Sequence, residues 1–270
     1  MSVATAEQAY EDILYEERGR VATITFNRPH RMNAFRAQTY AECVHALHRA
    51  GWNREIGAIV LTGTGEKAFS VGGDAKEEKK ADRVGRGPGT TGCSVEFLWT
   101  VIRDVPKPVI AKVRGYAIGA GNIIVTMCDL AMASENAVFG QVGPRVGSVD
   151  PFGTAMLARV VGEKRAREIW YLCERYPAAE ALAMGLVNRV VPDDRLDAAV
   201  GEWCEKLLLK SPTALAIAKR SFNATDEGLR GAGMLGLSAL ALYFQTDEAK
   251  EGGAAFREKR DPDFFSRFPA

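Results

Sequence analysis

The order of the predicted elements is the feature that most constrains the fold: short strands alternate with helices up to about residue 192, and helices alone follow. Period-two alternation in VATITFN (residues 21–27) is typical of a half-buried strand, and the apolar run AIVLT (58–62) of a fully buried one. This order favours an α/β core followed by a helical C-terminal region. Further strands are predicted within residues 68–70, 109–115, 130–140 and 187–192, and helices over 95–103, 153–161, 163–175, 178–184, 194–210, 212–223 and 227–248.

Local signals predict several boundaries. Residues 11–27 predict a β-hairpin whose turn, Arg-Gly-Arg, lies at 18–20. Asn33 is predicted to cap a helix that runs to about Ala50. Residues 76–92 carry charges and then glycines with no apolar period, which predicts a mobile loop.

Composition excludes several classes of protein. The 270 residues carry a net charge of +1, which provides no electrostatic footprint for a nucleic acid. The first residues lack the basic and apolar segments of a signal peptide, and no apolar run is long enough to span a membrane. Five scattered cysteines without a CxxC pair are typical of reduced thiols. We therefore expect a cytoplasmic protein that binds neither nucleic acid nor membrane.

Three apparent motifs fail on their context. GPGTTG (87–92) has the spacing of a dinucleotide-binding loop, but it follows the charged run KKADRVGR instead of a strand. His45 and His48 share a helix face without an acidic partner, so no metal site is predicted. Ser148 has no histidine nearby in the sequence to activate it, so a serine hydrolase is not indicated.

Two glycine-rich stretches are more informative. SVGGD (70–74) and GYAIGAG (115–121) each follow a strand-like run. Small residues let a backbone approach a ligand closely and direct its N–H groups at it. Two such N–H groups from separate segments would form an oxyanion hole, although either stretch alone is also compatible with an ordinary turn.

Nearly the whole chain resembles the crotonase (enoyl-CoA hydratase/isomerase) superfamily, through AFSVGGD, KPVIAKVRGYAIGAGN, MCDLAMASENAVFGQ, AREIWYLC and AMGLVNRVVP. The resemblance implies an α/β fold of repeated β-β-α turns, the ClpP/crotonase-like superhelix, over residues 1–192. It implies that residues 193–270 form a helical region that builds a homotrimer, often doubled to a hexamer, and completes the active site. The implied ligand is an acyl-CoA, with CoA as part of the substrate and no permanently bound cofactor.

The resemblance also implies roles for individual residues. The thioester oxygen is held by the backbone N–H groups of Gly73 and Ala120, and Asp150 and Ser148 handle substrate protons. Lys259 and Arg31 are expected near the CoA phosphates. The residues implied to line the acyl-CoA site are Arg31, Ala34, Val71, Gly72, Asp74, Ala75, Tyr116, Ile118, Gly119, Gln141, Gly143, Trp170, Phe244 and Lys259.

Two positions separate this chain from the hydratases of the superfamily, which have glutamates where it has Ile123 and Gly143. Because both carboxylates are missing, addition of water to a double bond by a glutamate pair is not expected. The chain instead resembles 1,4-dihydroxy-2-naphthoyl-CoA synthase and 2-ketocyclohexanecarboxyl-CoA hydrolase, through the stretches FGQVGPRVGSVD (139–150), MNAFR and KRAREIWYLC. Four stretches are more similar to the hydrolase than to the synthase: VIRDVPKPVIA, GSVDP, ARVVGEKRAREIWY and SPTALAIAKRSFN.

This branch implies chemistry at a carbon–carbon bond β to a thioester. We expect hydrolytic opening of a cyclic β-ketoacyl-CoA; the alternatives are the Dieckmann-type ring closure of the synthases and acyl-CoA binding without catalysis. Gly143 is expected to leave a gap for water or for bicarbonate, which Gln141, the Gly143 backbone and Trp170 would contact. The chain departs from the pattern at Ala75, at Ala120, in a shorter segment after Asp150, and at Phe244, which replaces a tyrosine that reaches a neighbouring active site.

Overall fold

The computed structural model describes residues 10–74 and 95–265. Its strands are β1 (Ile13–Arg18), β2 (Val21–Phe26), β3 (Ala58–Gly63), β4 (Ala68–Ser70), β5 (Val109–Val113), β6 (Tyr116–Ile118), β7 (Leu130–Ser134), β8 (Val138–Gly140), β9 (Arg175–Pro177) and β10 (Arg189–Val191). A larger sheet has the order β1–β2–β3–β5–β7–β10, and a smaller one has the order β4–β6–β8–β9.

Helices lie between these strands and form the C-terminal region. They are α1 (Ala37–Trp52), α2 (Val95–Asp104), α3 (Ala120–Met127), α4 (Pro151–Val161), α5 (Glu163–Leu172), α6 (Ala178–Ala183), α7 (Leu196–Leu208), α8 (Pro212–Asn223), α9 (Glu227–Tyr243) and α10 (Asp247–Glu258). The mixed α/β class with a helical C-terminal region is therefore confirmed, whereas the division of the chain at residue 192 stays a prediction.

Both faces of the larger sheet are covered, which explains the continuous apolar run in β3. Ile59 and Leu61 belong to the main core, which also contains side chains of α1 and α2. Val60 lies on the opposite face, in a cluster with Leu196 and Val200 of α7. From β2 onward the strands of this sheet are parallel, and parallel sheets with helices on both faces have apolar central strands.

The predicted hairpin is confirmed, but the predicted cap of α1 is wrong. β1 and β2 pair antiparallel, and the turn residues Gly19 and Arg20 have φ of 54° and 68°, as a tight hairpin turn requires. Arg36, not Asn33, precedes α1. Asn33 instead donates from its side-chain nitrogen to the Ala68 carbonyl at 2.7 Å, so its side chain is used to hold a loop near β4.

Two helices end earlier in the structure than the sequence predicts. Helix α5 ends at Leu172 because Cys173 adopts a left-handed conformation, and Arg175–Pro177 pairs with β8 as a strand. The helix predicted over 227–248 ends at Tyr243. Thr246 then caps the separate helix α10 by accepting the Ala249 N–H at 3.2 Å.

Some expectations fall outside the described residues, among them the loop at 76–92 and the GPGTTG stretch within it. No helix in the described part of the chain combines the length and apolar character needed to cross a membrane. Within residues 10–74 and 95–265, no group of three His, Cys, Asp or Glu side chains is placed to hold a metal ion.

Candidate active site

Three glycine-rich stretches leave the smaller sheet at the same edge. Strands β4, β6 and β8 are parallel neighbours, and residues 71–74, 119–121 and 141–150 follow their carboxyl ends. In sheets of this kind, ligands bind beyond the carboxyl ends of the parallel strands. The sheet therefore brings together stretches that are far apart in the sequence.

The first two stretches are in direct backbone contact, which requires glycine. Gly72 and Gly119 have φ of +89° and +58°, a region that residues with a Cβ rarely adopt. A Cβ on Gly72 would lie 3.1 Å from the Ala120 nitrogen, and one on Gly121 would lie 2.1 Å from the Ser70 carbonyl oxygen. The sequence predicts that both stretches supply N–H groups to one ligand, and the structure brings the two backbones into contact.

Gly73 and Ala120 each present a backbone N–H that has no hydrogen-bond acceptor among the described residues. The groups beside Gly73 are paired: the Phe35 N–H donates to the Gly72 carbonyl at 2.7 Å, and the Asp74 N–H donates to the Phe35 carbonyl at 2.8 Å. Ala120 begins α3, so the partial positive charge of a helix N-terminus adds to its N–H. Two such donors can stabilise negative charge on a bound oxygen.

Asp74 is held by a buried arginine that sequence reasoning missed. Arg28 Nη2 lies 3.0 Å from Asp74 Oδ2, and both side chains are buried. Arg28 also lies 3.6 Å from Asp12 and donates to the Ala34 carbonyl at 2.5 Å. Because loss of one partner would leave a buried charge uncompensated, this network fixes the stretch that carries Gly73.

Asp150 is a buried carboxyl group held on both oxygens. Its Oδ1 accepts the Gly153 N–H at 2.6 Å at the start of α4, and its Oδ2 accepts the indole N–H of Trp99 at 2.7 Å. Burial raises the pKa of Asp150 above the ordinary carboxyl value, although these hydrogen bonds act in the opposite direction. A base with such a raised pKa is better matched to proton transfer near neutral pH.

The gap expected at Gly143 is not there. A Cβ on Gly143 would lie 2.6 Å from the Ser148 carbonyl oxygen and 2.9 Å from the Trp170 ring. The protein therefore fills the direction in which a side chain would point, and nothing in this arrangement supports the predicted bicarbonate. Ile123, at the position of the other hydratase glutamate, is buried. Its side chain packs against Gly153, where an added Cβ would lie 2.9 Å from it.

Three further predicted residues, Gln141, Ser148 and Trp170, lie close to Gly119 or Gly143. Gln141 is buried, and its Nε2 donates to the Gly119 carbonyl at 3.4 Å. Ser148 is half-buried, and its backbone N–H donates to the Gly143 carbonyl at 2.8 Å. The indole N–H of Trp170 is buried and has no acceptor within the described parts of the chain.

Helices α9 and α10 fold back over the third stretch of the same chain. A Cβ on Gly252 in α10 would lie 2.4 Å from the Gly147 nitrogen, and one on Gly236 in α9 would lie 2.4 Å from the Pro151 Cβ. Phe244 is buried with Leu237, Leu240 and Ala249. The structure thus places Phe244 in the core of its own C-terminal region, and not at a surface from which it could reach a neighbouring site.

A cleft of about 490 Å³ beside the third stretch collects cationic side chains; its lining includes Val142, Arg145, Arg175, Lys259 and Arg260. Lys259 is therefore in a setting that suits an anion. Arg31 lies elsewhere, with its Nε 4.0 Å from Asp74 Oδ2. The two cations predicted near the CoA phosphates are not brought into one cleft.

The remaining predicted residues differ in exposure. Ala34 and Ile118 are buried, Val71 is half-buried and Tyr116 is exposed. Ala75 lies outside the described residues. Apart from Ala34, these positions lie within or next to the first two glycine-rich stretches. The contacts of all of them with a ligand stay predictions.

The family assignment follows from a match along almost the whole chain. The family model described as enoyl-CoA hydratase/isomerase matches residues 16–267. The chain belongs to the enoyl-CoA hydratase/isomerase family. Membership agrees with the crotonase resemblance and with the fold described above.

Solved structures of similar proteins superpose over most of the chain. An enoyl-CoA hydratase from Mycobacterium avium subsp. paratuberculosis K-10 is 30% identical, with a TM-score of 0.83, and 95% of this chain and 99% of that chain are covered. A carnitinyl-CoA hydratase from Mycobacterium avium is 30% identical, with a TM-score of 0.81 and the same coverage. A methylmalonyl-CoA decarboxylase in complex with 2-nitronate-propionyl-CoA is 26% identical, with a TM-score of 0.80 and again the same coverage. These names describe different reactions, so the family membership does not by itself fix the reaction.

Proposed function

We propose that this member of the enoyl-CoA hydratase/isomerase family opens the ring of a cyclic β-ketoacyl-CoA, such as 2-ketocyclohexanecarboxyl-CoA, by hydrolysis. The observation that carries the proposal is the pair of N–H groups at Gly73 and Ala120, which lack an acceptor among the described residues. They would hold the thioester oxygen. Because that oxygen becomes negative when an enolate forms, the donors bind the transition state more strongly than the substrate, and one donor is typically worth about 3 kcal/mol.

Asp150 supplies the base in this proposal. It takes a proton from water as the water oxygen bonds to the ring ketone carbon. The bond from that carbon to the α-carbon then breaks, and its electron pair becomes the thioester enolate. The α-carbon takes a proton, through Ser148 or a water molecule, and the product is a dicarboxylic acid with one end esterified to CoA.

Other observations support cleavage of a carbon–carbon bond over hydration. Ile123 and Gly143 provide no carboxylate, and the Ser148 carbonyl and the Trp170 ring lie where a Cβ on Gly143 would point. The similarity to a methylmalonyl-CoA decarboxylase, whose name describes loss of a carboxyl group from an acyl-CoA, shows that a similar fold accommodates such a reaction. Only the sequence stretches that resemble the hydrolase favour ring opening over ring closure. Neither the surroundings of Gly143 nor the burial of Phe244 distinguishes the two reactions.

We further propose that the chain forms a homotrimer or a hexamer. Helices α8 and α9 expose large apolar side chains, at 60% for Ile217, 76% for Phe222, 74% for Leu235 and 75% for Leu242. Exposed apolar side chains gathered on neighbouring helices are typical of protein interfaces. Light scattering coupled to gel filtration tests this, and a monomer at micromolar concentration would contradict it.

The direct test of the reaction uses purified protein and two thioesters. Incubation with 2-ketocyclohexanecarboxyl-CoA is expected to yield a product heavier by one water, detected by mass spectrometry, and Asp150→Asn is the matched control. Conversion of succinylbenzoyl-CoA to the naphthoyl product would instead support ring closure. Binding of both thioesters without turnover of either would support an acyl-CoA-binding protein.

A further inference from the structure

Trp99 and Asp150 form a buried pair that joins α2 to the third glycine-rich stretch. Trp99 is fully buried, Asp150 is 9% exposed, and the indole Nε1 lies 2.7 Å from Asp150 Oδ2. An indole N–H can donate a hydrogen bond but cannot accept one. The bond to Trp99 therefore has only one possible direction.

The same is true of a second partner of the carboxyl group. Oδ1 accepts the backbone N–H of Gly153 at 2.6 Å, and a backbone N–H is also only a donor. Since both oxygens meet donors, a proton on Asp150 can occupy only a lone pair that neither donor uses. The partners thus favour the ionised carboxylate and restrict the direction from which it accepts a proton.

We propose that Trp99 is a positioning residue for Asp150: its indole N–H fixes the carboxylate against rotation, so that a lone pair not used by its donors accepts the proton of the attacking water. The inference deepens the proposed function and rests on the role given there to Asp150. It assigns to α2 a part in the site that no motif in the sequence indicates.

Charged groups on the packed elements do not compete for this carboxylate. Among the described residues, the pKa of Asp150 responds to burial and to its hydrogen bonds with Gly153, Trp99 and Phe152, and to no charged side chain. Helix α3 carries no charged residue. Charged side chains of α2, α4 and α9 form ion pairs with other groups: Arg103 and Arg159 with Asp226, which precedes α9, and Arg230 with Asp104 and Glu227. Those of α5 are Glu163, Lys164, Arg165, Arg167 and Glu168, with Arg165 bound to Glu168 and Arg167 to Glu163.

The first test replaces the donor and keeps an aromatic ring. In Trp99→Phe, Asp150 loses one hydrogen bond to its ionised form, so its pKa rises further and the acidic limb of the kcat/KM profile is expected to move up by about one pH unit. kcat at the plateau is expected to fall while KM changes little, because thioester binding does not use Trp99. Trp203→Phe is the matched control, since it removes an indole from the α7 cluster, which is separate from the main core, and should leave the profile unchanged.

The second test needs no substrate, so it remains valid if the proposed reaction is wrong. Trp52, Trp170 and Trp203 are replaced by Phe, which leaves Trp99 as the single fluorophore. Its emission is expected to titrate with Asp150, and the step should disappear when Asp150→Asn is added. Ring opening of 2-ketocyclohexanecarboxyl-CoA is measured in parallel with the wild-type protein, which keeps Trp170. A fluorescence step without ring opening by the wild type overturns the proposed function and retains the pair. An acidic limb that is the same in Trp99→Phe and wild type, or emission without a step that depends on Asp150, overturns the inference.

Discussion

Gly121→Ala tests whether the contact between the first two glycine-rich stretches holds the site together. The new Cβ would lie 2.1 Å from the Ser70 carbonyl oxygen and 2.9 Å from its carbonyl carbon, whereas favourable contacts between heavy atoms lie near 3.5 Å. The two backbones must therefore separate by roughly 1 Å. Overpacking of this kind costs about 1–3 kcal/mol, and the better helix propensity of alanine offsets about 1 kcal/mol of it.

Gly201→Ala is the matched control, because Gly201 also lies in a helix and no atom lies within 4 Å of its Cβ position. This variant should gain about 0.5–1 kcal/mol, so the two variants are expected to differ by about 2 kcal/mol in the free energy of unfolding. Urea denaturation at equilibrium measures that difference. A 1 Å displacement of Ala120 relative to Gly73 would also cost about 10²-fold in turnover. Equal stability of the two variants, with wild-type turnover in Gly121→Ala, would refute the reasoning.

Three further predictions concern side chains. Asp150→Asn is expected to lower turnover by about 10²-fold or more while thioester binding survives, and near-wild-type turnover in steady-state kinetics would show that Asp150 serves only to begin α4. Lys259→Ala is expected to raise KM for the thioester more than it lowers kcat, because it removes an interaction made equally with substrate and transition state. Lys250→Ala, in the helix α10 that Lys259 follows, is the control, and a loss confined to kcat would contradict the role. Burial raises the pKa of the Cys43, Cys128 and Cys204 thiols, so iodoacetamide at neutral pH should label the half-buried Cys173 before these three. Peptide mass mapping checks this order, and earlier labelling of Cys43 would contradict it.

The sequence predicts the elements whose signal is local. The hairpin has a clear period of two on its second strand, and Gly19 marks its turn. The close approach of residues 70–74 and 115–121 was also predictable, because glycine at such positions removes the Cβ that would separate the backbones. The end of α5 was harder, since Cys173 carries no sign that it would leave the helix in a left-handed conformation.

The partners of the site could not be predicted, because they depend on packing between distant segments. Trp99 precedes Asp150 by 51 residues. Arg28 meets Asp74 although α1, β3 and β4 lie between them in the chain. The error at Gly143 has the same origin. The missing side chain predicts free space, but the Ser148 carbonyl and the Trp170 ring lie in the direction in which that side chain would point.

The proposed oxyanion donors belong to the main chain, and this has a consequence for how such an enzyme can evolve. A point mutation at Ile123, Gly143 or Asp150 changes a side chain but does not delete the N–H of Gly73 or Ala120. Selection can therefore alter proton transfer at these positions while the ability to stabilise an enolate is inherited unchanged. The mutations that endanger this inheritance are those that add a Cβ at Gly72, Gly119 or Gly121, where the two backbones meet.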